Sequence, residues 1–275
     1  MRTLGILAAA VFAMAGLADG YWGVGEIFSL SGPRDGALGG QVSIPLFFPE
    51  AAHANAAGLA FAPGLSLASW YALRFGTIHV YSLEAAGRYW GGGVVSLDVG
   101  DPDPALSYTA YGVVFSAGLP LGDALAVGLA WKGFFQATPG EAFGWALDPS
   151  ALLWLGGVRL GLVIENAASV PIEYGDHREP WPWGVRGGAS LSVALGDAAL
   201  TLAIGARYTA SATLDYAVGI EVRRGPWGLR AGYGTGGVGV GASLMLGNYG
   251  VHWALSLHPY LPLTMAVGVS WGDGG

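Results

Sequence analysis

Between Leu214 and Arg223 the even positions carry Leu214, Tyr216, Val218, Ile220 and Val222, whereas the odd ones carry Asp215, Ala217, Gly219, Glu221 and Arg223. A two-residue alternation of this kind predicts a β-strand, whose successive side chains point to opposite faces. The same split runs through 158–165, 185–195, 200–209, 227–233, 238–246, 249–257 and 263–271. From Leu65 onward the pattern predicts about fourteen strands, an even number as single-chain bacterial barrels require. The connectors alternate in length. Short ones are expected at Ala85-Ala86-Gly87, Leu121-Gly122-Asp123, Leu155-Gly156-Gly157, Gly196-Asp197-Ala198, Gly225-Pro226 and Gly247-Asn248. Longer ones are expected at Asp101 to Ala105, Gln136 to Ala142, Ala167 to Trp183 and His258 to Pro262. Short turns on one side and long loops on the other place both termini in the periplasm.

A soluble sandwich would also alternate, but its polar face would be dressed for water. Here the smaller face is Gly, Ala and Ser with a scattered charge, which suits a crowded interior. The aliphatic face also carries the large aromatics, including Trp131, Tyr208, Trp227, Tyr249, Trp253 and Trp271, near predicted strand ends. An apolar band between aromatic girdles is the arrangement of a transmembrane β-barrel. The fold class expected is therefore all-β: a transmembrane antiparallel β-barrel with an N-terminal plug segment.

The first residues break the alternation. Met1 to Ala18 joins Arg2, an apolar stretch from Leu4 to Leu17 and the small-residue end Gly16-Leu17-Ala18, the pattern of a cleaved signal peptide for export. Tyr21 to Gly64 contains Gly32-Pro33-Arg34-Asp35, Gly39-Gly40, the apolar Ile44 to Phe48 and the small run Ala51 to Gly58. A stretch of about 40 residues is long for an ordinary loop, and it reads either as a plug in the lumen or as an unstructured periplasmic leader. The expected division is residues 1–18 signal peptide, 19–64 plug or hatch, and 65–272 barrel.

Composition sharpens the membrane reading. The chain is 53% hydrophobic and only 11% charged, against roughly 25% charged in soluble domains. A helical bundle is excluded by glycine, of which there are 48, because each costs about 1 kcal/mol inside a helix. With 12 Lys and Arg against 19 Asp and Glu, a net charge of −7 argues against nucleic acid as a partner. The absence of cysteine removes disulfides, thiol nucleophiles and thiolate metal sites together.

Leu38-Gly39-Gly40 followed by Ala54-Asn55-Ala56-Ala57-Gly58-Leu59-Ala60 resembles an N-terminal motif of the outer-membrane long-chain fatty-acid transporters. That motif reads leucine-glycine-glycine, then asparagine-proline-alanine-glycine-leucine, so Asn55, Gly58 and Leu59 match and Ala56 replaces the proline. Ala146-Leu147-Asp148, Val163-Ile164-Glu165-Asn166 and Gly219-Ile220-Glu221 extend the similarity over most of residues 30 to 271. The chain is shorter than typical members, nearer a branch that includes accessory barrels of type IX secretion. The resemblance implies a barrel of fourteen strands, a plug that moves to open a sideways path into lipid, and a passive route for hydrophobic molecules such as fatty acids. Its shorter branch implies the alternative of a non-transporting envelope barrel, a scaffold or secretion accessory with a protein partner on the outer loops. Both place the chain in the outer membrane of a diderm bacterium, with lipid as its first partner.

The candidate ligand residues are inward charges. Arg159, Arg186, Arg207, Arg223 and Arg230 share the parity of the small residues, as do Glu165, Asp215 and Glu221. On the lipid face at mid-membrane an Arg would cost about 2–4 kcal/mol, so the lumen is their expected place. They either brace wall and plug, with Asp148 and Lys132, or hold a ligand carboxylate. Asp176, His177 and Glu179 lie close together, but they read as loop surface rather than a metal site. The aromatic and proline-rich loop around Pro171, Pro180, Trp181, Pro182 and Trp183 reads as an outer lip or as plain loop packing. Gly234 to Gly239 has the dinucleotide-binding spacing but lies between two strands, where it has no helix to serve. Ser243 and Ser256 lie near His252 in sequence without a clear catalytic set. No catalytic residue, metal or cofactor is expected.

Overall fold

The protein is seen in a computed structural model that describes residues 27–28, 32–40, 49–99, 108–138, 140–210 and 214–272. The alternating segments form β1 (Ser66–Arg74), β2 (Ile78–Gly87), β3 (Trp90–Val99), β4 (Tyr108–Pro120), β5 (Leu125–Thr138), β6 (Ala142–Leu155), β7 (Val158–Glu165) and β8 (Ala168–Tyr174). They continue as β9 (His177–Glu179), β10 (Gly184–Leu195), β11 (Ala198–Thr209), β12 (Leu214–Arg224), β13 (Trp227–Gly234), β14 (Gly237–Leu246), β15 (Tyr249–Leu257) and β16 (Thr264–Gly272). Sequential strands pair antiparallel, β1 meets β16, and β5 meets β6, so the sheet closes on itself as a ring of fourteen. Strands β8 and β9 are the extras. They form a hairpin on the outer end of β6.

Closure pairs each of the fourteen ring strands with a neighbour on both sides, and the parity then sorts the side chains. On β12, Leu214, Val218, Ile220 and Val222 are exposed while Ala217 and Glu221 are buried. Leu83, Phe115 and Leu229 are each more than 60% exposed on the outer face, a burial pattern that only an apolar surrounding makes favourable. Trp227 and Tyr249 lie at one rim and Tyr208 and Tyr260 at the other. The core is thus the lumen, and buried polar side chains gather there with the apolar ones.

Several connectors depart from the expected ones. Ala85, Ala86 and Gly87 belong to β2, and the turn lies at Arg88 and Tyr89. Strands β5 and β6 run for 14 residues each, so most of the loop expected at Gln136 to Ala142 is strand. Alternation there was masked by the crowd of Phe134, Phe135 and Phe143. The segment from Ala167 to Trp183 is not a loop either. Strand β8 continues β7 upward along β6, displaced by a bulge whose Asn166 has φ +56°. The region 1–18 and Ile44 to Phe48 lie outside the described residues, as does Asp101 to Ala105.

Inside the barrel lie two pieces of the N-terminal region: the helical turn Pro33–Ala37, and the helical turn Ala51–Ala54 followed by the 3-10 helix Ala56–Phe61. Both approach the wall where glycine has removed the side chain. A Cβ on Gly128 of β5 would overlap the backbone nitrogen of Ala57. One on Gly232 of β13 would overlap the carbonyl carbon of Leu38. These inward glycines therefore set how near the inner segment can lie.

Candidate functional site

Asn55 anchors the 3-10 helix. Its side-chain oxygen accepts from the Ala57 N–H at 3.1 Å, the arrangement of an N-cap, and its amide donates to the Ala151 carbonyl of β6 at 3.1 Å. Ala57 N–H also donates to Ser150 Oγ at 3.1 Å. Gly58 and Leu59 follow, both buried, with Leu59 against Gly91 of β3 and Gly118 of β4. The structure thus brings together the three residues of the sequence motif. The cap needs an Asn side chain, and the wall needs small residues opposite it.

The inward charges fall into groups. Glu221 of β12 receives Arg34 from the inner segment on one oxygen and Arg230 of β13 on the other, at 2.9 Å from Nε. Arg230 also donates to Ser243 Oγ at 3.0 Å. All three charged groups are at least nine-tenths buried, which requires such pairing. In the second group Glu165 lies 2.6 Å from Arg207 and 3.5 Å from Arg186. Arg186 further donates to the Ala54 carbonyl at 2.7 Å, at the end of the inner helical turn. In the third, Lys132 and Asp148 pair at 2.7 Å, and Asp148 accepts the Asn166 N–H at 2.7 Å, holding the bulge. Lys132 also sits over the rings of Phe28 and Trp181, 5.5 and 5.7 Å from their centroids.

The remaining predicted residues lie apart. Asp215 accepts from Thr235 Oγ1 at 3.1 Å near the outer end. Arg159 stacks on Trp154 at 4.0 Å, and Phe61 meets the same indole edge-on at 5.2 Å. Arg223 is exposed at the short-turn end of the barrel. Of the eight inward charges read from the sequence, Arg186, Arg207, Arg230, Glu165, Asp215 and Glu221 are engaged by ion pairs or hydrogen bonds and Arg159 by an indole, and two of the ion-pair groups also hold the inner segment. His252 bonds Ser270 at 2.8 Å, and Ser243 accepts from Arg230 at 3.0 Å.

Sequence reasoning passed over a further set. Trp70 of β1 donates from Nε1 to Glu84 Oε1 at 2.9 Å, and Ser82 Oγ donates to the same oxygen at 2.9 Å. His53 Nδ1 lies 3.8 Å from it. The parity of Val80, Ser82, Glu84 and Ala86 was the available signal. On the inner segment, burial pushes the Glu50 carboxyl well above the usual carboxylate range, with Asp35 and Glu84 adding to the rise and Arg34 opposing it. Burial also raises Asp35, against the pull of His53 and Arg34.

The wall has one seam. Beyond Glu165 and Gly184, the β7–β10 ladder stops, and among the described residues no backbone ladder joins 168–171 to 180–183. Pro180 and Pro182 have no N–H to offer. Side chains substitute: Trp181 Nε1 donates to the Val170 carbonyl at 2.9 Å, and Asn166 Nδ2 to the Pro182 carbonyl at 2.6 Å.

A closed ring of fourteen antiparallel strands, apolar outside and polar inside, is the architecture of an outer-membrane barrel. Among solved structures the chain is similar to the Pseudomonas putida toluene transporter TodX, with TM-score 0.58, 12% identity, and coverage of 90% of this chain and 100% of that one. It is similar to the CymD monoaromatic hydrocarbon channel, with TM-score 0.58, 12% identity, 89% and 98% covered. It is also similar to a Pseudomonas aeruginosa FadL homologue, with TM-score 0.51, 10% identity, 88% and 98% covered. At these identities the likeness is one of fold. No protein-family model matches the chain, and no curated protein matches it in sequence.

Proposed function

We propose that this chain is a plugged outer-membrane channel that lets small hydrophobic molecules cross the outer membrane passively. The observation that carries this reading is an inner segment filling the lumen beside a wall whose seam is held only by side chains. A molecule arriving from outside would meet the aromatic lip at Trp181 and Trp183, pass when the segment shifts, and leave sideways into lipid through the seam. The shared fold with hydrocarbon and toluene channels supports the same class of cargo, and fatty acids are the class that the sequence resemblance suggests. The inward arginines serve this reading chiefly by holding the segment. Arg159 and Arg223, at the periplasmic mouth, are the two best placed to meet an anionic head group.

The test uses the natural absence of cysteine. A Cβ on Gly36 of the inner segment would lie 3.6 Å from Ser256 Oγ of β15 without crowding, within reach of a disulfide. Gly36→Cys combined with Ser256→Cys should lock the segment when oxidised. Uptake of toluene into proteoliposomes is expected to stop on oxidation and return on reduction. Uptake unaffected by a formed disulfide would defeat the moving segment.

A second reading is favoured by the number of tethers on the segment, through Arg34, Asn55, Ala57 and Arg186. A segment held so firmly suits a barrel that anchors other envelope proteins, as in the shorter, secretion-associated branch. That reading expects no uptake by the wild type.

A further inference from the structure

Between the inner segment and the wall lies a cavity of about 20 Å³, enough for a single water. Ile27 and Phe28 line it from the inner segment, and Trp70, Val95 and Val114 line it from β1, β3 and β4. Its polar lining is His53 from the inner segment with Ser82 and Glu84 of β2, and Glu84 is 2% exposed. Every hydrogen bond recorded to this carboxyl goes to Oε1, from Trp70 and Ser82, while Oε2 is buried with no partner. An orphaned carboxyl oxygen in an apolar setting is costly, and it is an acceptor waiting for a donor. Glu50 Oε1 and Trp70 Nε1 both come within 3.2 Å of where a Cβ on Gly32 would stand, so a second carboxyl lies on the far side of Trp70, outside the cavity lining.

Resting on the channel reading above, we infer that Glu84 Oε2 is a ligand-binding atom that selects small apolar molecules bearing one hydroxyl, phenols above all. The hydroxyl donates to Oε2, and the ring follows into the space between Phe28, Val95 and Val114 as the segment shifts. A ligand carboxylate is disfavoured, because it has no hydrogen to give to Oε2. This selectivity separates the site from any guanidinium-lined site, which would favour the carboxylate.

The experiment follows binding of para-fluorophenol, para-fluoroanisole and para-fluorobenzoate to the full chain in detergent by fluorine NMR. Fluoroanisole keeps the ring and the oxygen but has no hydrogen to donate. For the wild type, saturable binding of fluorophenol is expected about ten-fold tighter than fluoroanisole, with fluorobenzoate weakest, since only the phenol pairs the buried acceptor. Glu84→Gln should lower the phenol-over-anisole preference about ten-fold while fluoroanisole binding stays the same. Val114→Phe should fill the cavity and weaken both without touching the carboxyl.

Equal binding of phenol and anisole by the wild type would overturn the inference while leaving the channel reading standing, and so would a preference that survives Glu84→Gln. Toluene uptake into proteoliposomes, run on the same preparation, reports on the channel reading separately. The wild-type comparison needs no variant, so a Glu84 variant that fails to fold leaves the inference open to refutation.

Discussion

The two sides of the lumen hold the same segment by different physics. Facing β3 to β6, Ala56–Phe61 fits against wall glycines, with Leu59 against Gly91 and Ala57 against Gly128, and its polar contacts are neutral hydrogen bonds from Asn55 and Ala57. Facing β12 to β15, Pro33–Ala37 is held by the buried Arg34–Glu221–Arg230 group as well as by close backbone approach. Contact by shape fails gradually as atoms are removed, whereas a buried charge fails at once when its partner goes. The second side is therefore the better candidate for a release point, and the first for a hinge.

The largest effect should come from breaking the charged side. Glu221→Gln leaves two buried guanidinium groups facing a neutral amide, and a loss of about 3–5 kcal/mol is expected in denaturant unfolding. Replacing Arg34, Glu221 and Arg230 together with Met should recover most of it. If the triple variant is no more stable than Glu221→Gln, charge is not what holds that side.

On the other side Gly128→Val forces the 3-10 helix off the wall. Overpacking of this kind costs typically 1–3 kcal/mol. Limited proteolysis should then cut within 49–64, leaving the barrel intact. Asn55→Ala should be milder, about 1 kcal/mol for a lost cap, with the helix the first part to exchange its amide hydrogens.

The smallest effect is a dependence on pH that belongs to the segment. Glu50 has its carboxyl raised by burial and by neighbouring Asp35 and Glu84, while Arg34 and Arg230 counter this. A carboxyl raised on docking binds protons more tightly docked than free. Docking should thus be strongest below the ordinary carboxylate range and weaken as pH climbs through the raised value. Glu50→Gln should flatten that profile in a cross-linking assay between Gly36→Cys and Ser256→Cys. An unchanged profile would move the dependence to Asp35, raised in the same direction.

Much of the wall was legible because parity is local: Glu221 and Arg230 each stand among small residues on alternating strands. Their common partner was not, since Arg34 lies 187 residues before Glu221 and only closure of the ring brings them together. Glu84 was legible by the same parity on β2 and was passed over among weaker signals. The β8–β9 hairpin was hidden by Pro171, Pro180 and Pro182, which read as loop although β8 accommodates the first of them. The seam between 168–171 and 180–183 depends on which carbonyls find donors, and no residue pattern declares that. Asn55, by contrast, was recognisable because a cap is a contact between near neighbours.

The Arg34–Glu221 pair has a consequence for how the molecule comes to exist. Until Arg34 arrives, the hairpin of β12 and β13 would carry into lipid a carboxylate satisfied on one side only. The segment also lies against Gly232 and Gly239 too closely to be threaded past a finished wall. Assembly should therefore wrap the later strands around a segment already in place, with the meeting of β16 and β1 as the last stitch. The N-terminal region would then act as the mandrel on which the barrel is wound before it becomes a part that moves.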